Sequence, residues 1–477
     1  MMRLPIILPL VLCLSACSLQ PELRMPSAPV PAHFPAENQA SGSGLPASAL
    51  GWRAMFGDPR LQRLIELALE NNRDLRLATL NVQAAQPLAD IAGAARLPAV
   101  GLEGERTRER TLDSGSSRSG AVSQHNGLNV ALSAFELDLF GRVRSLSDAA
   151  LARYLASQHG REAAQIALVG AVAEAYFAQR LADEQVQLAE QTQADWNQSL
   201  ALARLLKQSD QSSSLDVAQA ESQVALADAE LEAGRRRLLL ANNALQLVLG
   251  SPLPADLPPA QPLERQPVIA RLPAGLPADL LLNRPDLQQA EQVLVAANAD
   301  IGAARAAFFP QISLTASFGY ASTSLGDLFD PASQVWRFAP QISQPLFQGG
   351  RLRAELRLAE IRKSEAIALY ERAVQSAFRE VADALAGTAS FDHQIEAQLR
   401  AVTAAEHRLH LSDLRYRAGL DGRLELLDAQ RQLQAARQSL LALRGADIAN
   451  RVALYKSLGG GLYARDAQEN VAINAAR

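Results

Sequence analysis

Two carboxylates, Glu425 and Asp428, lie three residues apart in a stretch dominated by Leu, Gln, Ala and Arg. In a helix that spacing puts both on one face, where they attract cations, and repetition about a symmetry axis would stack them into rings of like charge. His407 and His410 are also three apart on a predicted helix, but no third ligand is positioned beside them, and a solvated pair is the reading rather than a metal site. Gly459-Gly460-Gly461 ends a predicted helix instead of following a strand and opening one, so it does not make a phosphate loop. Ser, His and Asp occur without a nucleophile-elbow pattern. The residues offer charge and conformation rather than covalent chemistry, and no enzyme is read from them.

At the N-terminus, residues 1–16 carry Arg3, an apolar run from Ile6 to Leu14 and small residues before Cys17, the layout of a secretion signal. The apolar run is too short to cross a bilayer as a helix. Leu14-Ser15-Ala16-Cys17 resembles the lipobox of bacterial lipoproteins, which implies that Cys17 is acylated and begins the mature chain. Ser18 stands where an Asp would hold a lipoprotein at the inner membrane, so transfer to the outer membrane follows. Several acyl chains at about 0.8 kcal/mol per buried CH₂ anchor stably. Cys13 falls in the removed segment, which leaves no disulfide or thiolate metal site. No cofactor is expected beyond that covalent lipid.

The elements that must position the carboxylates come from the rest of the chain, which has 477 residues, 48% hydrophobic, 20% charged, with formal net charge -4. There is length for two or three ordered regions and no basic footprint for nucleic acid. An internal repeat dominates: Asn72-Arg73-Asp74-Leu75 recurs as Arg284-Pro285-Asp286-Leu287 and Pro98 recurs as Pro310 at the same separation. Further on, Phe140-Gly141-Arg142 matches Gly349-Gly350-Arg351 and Ser214-Leu215-Asp216 matches Arg423-Leu424-Glu425 at a slightly smaller one. Each copy reads as helix, strand, strand, very long helix, sharp turn, helix. The stretches from Phe140 to Gly250 and from Leu346 to Arg477 are proline-free and rich in helix formers. Ile367, Tyr370, Val374, Phe378, Val381 and Leu385 step by three and four, and Leu426, Leu433 and Leu440 by seven, which is coiled-coil spacing. A helix of about 65 residues is on the order of 100 Å long.

Between the helices the period changes to two. In Ile312 to Tyr320 every even position is apolar or small and every odd one polar or Gly; Trp336, Phe338 and Ile342 alternate with Arg337, Gln341 and Ser343. In the first copy Val100 and Leu102 alternate with Glu103 and Glu105, and Leu128, Val130 and Leu132 with Asn129 and Ser133. Strands of about ten residues ending in Phe308, Phe309, Tyr320, Trp336 and Phe347 suit tilted membrane-crossing strands. A four-stranded sheet in lipid leaves unpaired edges, each amide costing several kcal/mol, so oligomerisation is a physical requirement of the membrane reading. The organisation is residues 1–16 as signal peptide, 17–59 as a lipid-anchored tether, 60–250 as first repeat, 251–278 as a Pro-rich connector, 279–458 as second repeat and 459–477 as C-terminal tail.

Asn283-Arg284-Pro285-Asp286-Leu287, Ala306-Ala307-Phe308-Phe309-Pro310-Gln311-Ile312, Gln344-Pro345-Leu346-Phe347-Gln348-Gly349-Gly350-Arg351-Leu352, Arg415-Tyr416-Arg417-Ala418-Gly419 and Leu426-Leu427-Asp428-Ala429-Gln430 resemble signatures of the TolC-like outer membrane factor family. The lipobox and Tyr455-Lys456-Ser457-Leu458-Gly459-Gly460-Gly461 are similar to its NodT-type lipoprotein branch. The resemblance implies a mainly α fold with a β-barrel section: a long α-helical coiled-coil tunnel plus four transmembrane β-strands per chain, the homotrimer forming a 12-stranded β-barrel and an α-barrel. It implies a passive, gated duct, lipid-anchored in the outer membrane and extending into the periplasm. The duct exports drugs or other small toxic molecules with a periplasmic adaptor and an inner-membrane resistance-nodulation-division (RND) transporter. The alternative within transport is the outer channel of a type I protein secretion system, against which the lipobox argues.

Carried over residue by residue, the resemblance makes the turns Gln208 to Ser214 and Ala418 to Arg423 the seal of the tunnel. Asp216 and Tyr416 form one contact of the closed state, and Glu425 and Asp428 supply the acidic rings. Asp421 replaces a basic residue of the second turn, with Arg423 nearby as its substitute, and Asp210 replaces the Gly of the first. Pro87, inside the first predicted helix, is expected to kink it or shift its register.

Overall fold

The computed structural model describes residues 19–34, 45–111, 121–273 and 277–465. Cys17 and the expected signal lie outside the described residues. After a short helix α1 (Trp52–Met55) come α2 (Pro59–Asn71), α3 (Arg73–Ala94), β1 (Val100–Thr111), β2 (Ala121–Leu137), α4 (Arg142–Gln208) and α5 (Ser214–Leu249). The same order returns as α6 (Pro277–Asn283), α7 (Pro285–Ala306), β3 (Gln311–Ser322), β4 (Gln334–Ser343), α8 (Arg351–Arg417) and α9 (Arg423–Ser457). The two long helices, α4 and α8, have 67 residues each. Pro87 sits inside α3, which continues as helix through it. Among the described residues no helix is long and apolar enough to cross a membrane.

The chain divides into two compact units. One gathers the described residues of 81–158 and 289–371 with residues 19–27, and holds the sheet. Its strands are antiparallel in the order β1-β2-β3-β4, so the second and third strands join the two repeats and β1 and β4 are open edges. Register fixes the faces. Leu102 pairs with Val130, Val130 with Phe318 and Phe318 with Trp336, a row of apolar side chains across all four strands. These are exposed, Leu102 at 72% and Trp336 at 76%, which a water-facing sheet does not tolerate and a lipid-facing one requires. The opposite face carries Glu103, Asn129, Ser317 and Arg337. A bulge between Leu132 and Phe135, where Ala134 has φ 48°, shifts the β2–β3 register near the helix end. Beyond it, Phe140 stacks on Phe309 with ring centroids 4.8 Å apart, and the Arg142 guanidinium grips Glu136 at 2.9 and 2.5 Å.

The other unit comprises the described residues of 28–80, 159–288 and 372–465. Asp58 caps α2 by accepting from the Arg60 N–H, and Leu61, Leu64, Ile65 and Ala68 bury the face that their three–four spacing defines. Trp52, Met55 and Phe56 are fully buried; the Tyr455 ring meets Phe56 edge-on, and its hydroxyl donates to the Leu50 carbonyl at 2.7 Å. Within the expected tether, Phe34, Ala47 and Leu50 are thus core residues. The Tyr176 hydroxyl donates to Asp58 at 2.6 Å, and burial first, then that carboxylate, pushes the phenol well above its usual range.

The repeat extends to atomic detail here. Gly250 and Gly459 end α5 and α9 with φ of 70° and 83°, and a Cβ on either would lie 2.5 Å from the carbonyl oxygen of Asn71 or Asn283 respectively. The side chain of Asn72 donates to the Val248 carbonyl at 2.8 Å, and that of Arg284 to the Ser457 carbonyl at 3.0 Å.

Candidate functional site

The turns joining α4 to α5 and α8 to α9 are built alike. In the first, the N–H of Gln211 donates to Leu206 at 2.9 Å and that of Asp210 to Lys207 at 3.1 Å; in the second, Leu420 donates to Arg415 at 2.9 Å and Gly419 to Tyr416 at 3.0 Å. Both are Schellman endings, which need a left-handed residue after the helix. Gly419 meets that need with φ 69°; its counterpart Asp210 adopts φ 57° despite its Cβ.

The starts of α5 and α9 differ. Ser213 caps α5 in a reciprocal capping box with Asp216, the Ser213 oxygen accepting from the Asp216 N–H at 3.1 Å and Asp216 Oδ2 accepting from the Ser213 N–H at 2.9 Å. The hydroxyls of Ser213 and Ser212 donate to the same carboxylate oxygen at 2.7 and 3.0 Å. These bonds, Ser213's foremost, hold the Asp216 carboxyl below the usual carboxylate range, and the Arg423 charge adds to the effect. Gly422 caps α9 with no side chain. Instead Asp421 locks the turn by a bidentate pair with Arg415, at 2.6 and 2.7 Å, which lowers its own pKa.

Of the residues singled out from the sequence, Asp216 and Tyr416 are not joined by a hydrogen bond in the chain; Asp216 is taken up by its own turn. Arg423 is buried, and its Nη2 donates to the backbone carbonyl and hydroxyl of Ser199 on α4 at 2.8 and 3.0 Å, tying the start of α9 across to the long helix of the first repeat. Its Nη1 is buried with no hydrogen-bond partner among the described residues. Glu425 and Asp428 share a face, and Arg408 on α8 meets both, at 3.6 and 2.7 Å, while Arg431 stands 3.6 Å from Asp428. The acidic pair is therefore partly neutralised. No group of three His, Cys, Asp or Glu among the described residues is placed to hold a metal ion.

Sequence reasoning missed Arg408, Arg415 and Ser199. A signal existed for the first two: in an antiparallel helical hairpin, residues equidistant from the turn face one another, and Arg408 with Asp428, like Arg415 with Asp421, straddle Ala418 evenly. Apolar packing braces this end, with Trp196 of α4, Ala227 of α5 and Leu427 of α9 in one buried cluster. Beside it lies a groove of about 390 Å³ lined by Trp196, Ser199, Asp413, Arg417, Gln430 and Arg437.

Long coiled-coil helices with conformable, charge-locked turns, together with a sheet apolar on one face and polar on the other, define a channel-forming membrane protein. The match to the family model described as outer membrane efflux protein covers residues 64–251 and 276–460. The chain is 45% identical over 457 residues to the solvent efflux pump outer membrane protein SrpC of Pseudomonas putida, covering 94% of this chain and 97% of the relative. It is 41% identical over 456 residues to the cation efflux system protein CusC of Escherichia coli O157:H7, covering 94% and 97%. The structure of the open state of the Neisseria gonorrhoeae MtrE outer membrane channel superposes with a TM-score of 0.86 at 39% identity, covering 95% of this chain and all of that one. The chain belongs to the outer membrane efflux protein family. It is an outer-membrane efflux channel component that extends into the periplasm.

Proposed function

We propose that three copies of the chain close a 12-stranded β-barrel continued by an α-helical tunnel, forming a passive duct for drugs, solvents or other small toxic molecules. The observation that carries this reading is the sheet itself: its exposed apolar face belongs in lipid, and its two open edges cannot persist there unless neighbouring copies pair β1 with β4. Relatives named for solvent and cation efflux favour small-molecule export over protein secretion. The chain works with a periplasmic adaptor and an inner-membrane RND transporter, which supplies the energy, and Cys17 carries the lipid anchor.

The gate of this duct is the pair of turns, held by Asp216, Tyr416, Asp421, Arg423, Glu425 and Asp428. It opens when the adaptor makes better contacts with the loosened turns than with the locked ones. Single-channel conductance of the purified protein in a planar bilayer tests both levels. A small wild-type conductance that rises sharply in Asp216→Ala/Tyr416→Ala is expected. A conducting protein indifferent to that change discards these two as gate residues, and folded, inserted protein that never conducts discards the duct.

A further inference from the structure

Strand β1 sorts its charges by parity. Arg106, Arg108 and Arg110 follow Val100 and Leu102 on the face that carries the exposed apolar side chains, whereas Glu103, Glu105 and Glu109 lie on the polar face. The β1–β2 register runs unbroken from Val100–Leu132 to Thr111–Ala121, so this assignment holds to the hairpin end. All three arginines are exposed, and none of their guanidinium groups has a hydrogen bond or ion pair among the described residues. Their partners across the ladder, Asn126, Gln124 and Val122, carry no charge to meet them.

Their height on the sheet says what meets them. The apolar rows run up through Leu102, Val130, Phe318 and Trp336 and end at Gly104, Leu128 and Tyr320, an aromatic of the kind that marks a membrane interface. The next levels toward the hairpins are Arg106, then Arg108, then Arg110. Helices α3 and α4 leave from the opposite end of the strands and extend into the periplasm, so the hairpin end meets the outer leaflet. Arginine facing hydrocarbon is destabilising, whereas at headgroup level its fork of donors fits phosphate bidentately. Alternate residues of a strand stand about 6.7 Å apart, so three guanidinium groups make a ladder roughly 13 Å tall along the outer wall.

We propose that Arg106, Arg108 and Arg110 bind the phosphate groups of anionic glycolipid headgroups in the outer leaflet, fixing a shell of lipid against the barrel. The inference rests on the barrel reading and on no part of the gate.

The test is native mass spectrometry of the full-length oligomer in non-ionic detergent, titrated with diphosphoryl lipid A or its dephosphorylated form, with bilayer conductance measured in parallel. Wild type is expected to retain the phosphorylated lipid, and Arg106→Gln/Arg108→Gln/Arg110→Gln to bind it on the order of a hundredfold more weakly, roughly fivefold for each charge. The dephosphorylated lipid should bind the wild type as weakly, and Arg337→Gln on the opposite face should leave binding intact. Equal affinity of wild type and triple variant, or indifference of the wild type to the phosphates, overturns the proposal. Should the triple variant fail to assemble, the single variants decide: each loses about fivefold, or the ladder binds nothing. Loss of conductance with lipid binding retained would count against the duct and not against this site.

Discussion

The guanidinium of Arg284 donates to the backbone carbonyl of Ser457 at 3.0 Å, where the first repeat uses Asn72 on Val248. Arg284 adds what Asn72 cannot, a pair with Asp286 at 3.0 and 2.7 Å and with Glu380 at 2.8 Å. Its side chain is 10% exposed, but both carboxylates are about two-fifths exposed, which discounts the pairs. Arg284→Ala should cost about 2 kcal/mol. Arg284→Asn, which restores the carbonyl contact alone, should recover part of that in a denaturant melt of the detergent-solubilised protein.

Asp210 holds a left-handed backbone that its counterpart Gly419 holds without a Cβ. Asp210→Gly should stabilise the first turn by up to about 1 kcal/mol, and Gly419→Ala should destabilise the second by about as much. Hydrogen exchange at the amides of Gln211 and Leu420 reads the two turns separately.

The Asp216 and Asp421 carboxyls both titrate below their ordinary value, the first through Ser213, the second through Arg415. A depressed folded pKa contributes stability that is complete above the unfolded value of about 3.9 and is lost as pH falls through the lower folded value. The turns should therefore be tight at neutral pH and loosen progressively below about pH 4. Protease nicking at the turns across that range checks the sign. Asp421→Asn should flatten the response of the second turn and leave the first unaltered.

Arg408 lies 2.7 Å from Asp428 and 3.6 Å from Glu425. Removing it as Arg408→Gln should unmask both carboxylates and raise the preference of the pore for cations, by up to about fivefold for a half-exposed pair. Reversal potentials under a salt gradient measure this. A ratio unchanged by Arg408→Gln but reduced by Asp428→Asn would leave the ring in place and dismiss the arginine as its counterweight.

The long helices and the strands were legible because each has a strong period, and the repeat because Asp74-Leu75 recurs as Asp286-Leu287 within matching motifs. The paired turns were legible as breaks between helix formers. What sequence reasoning could not supply is who holds whom. Asp216 stands three residues after Ser213, the spacing of a capping box, and this local bond competes with the longer-range contact to Tyr416 that resemblance suggested. Arg423 reads as a turn charge, yet it is buried against Ser199 on a helix of the other repeat, a contact visible only once the helices are packed. Arg408 needed the centre of the hairpin to be known to within a residue.

A sheet whose order ends in β1 at one side and β4 at the other makes bilayer entry a collective act. A solitary copy carries two rows of unmet amides and is kept out of lipid until others arrive, so supply of the chain sets a threshold rather than a proportion. The same geometry makes seam damage dominant. A copy whose β4 edge is made unable to pair still lends a sound β1 to one neighbour, and so enters the ring it ruins. With equal amounts of sound and damaged chain assembling at random in threes, only about one ring in eight would be whole.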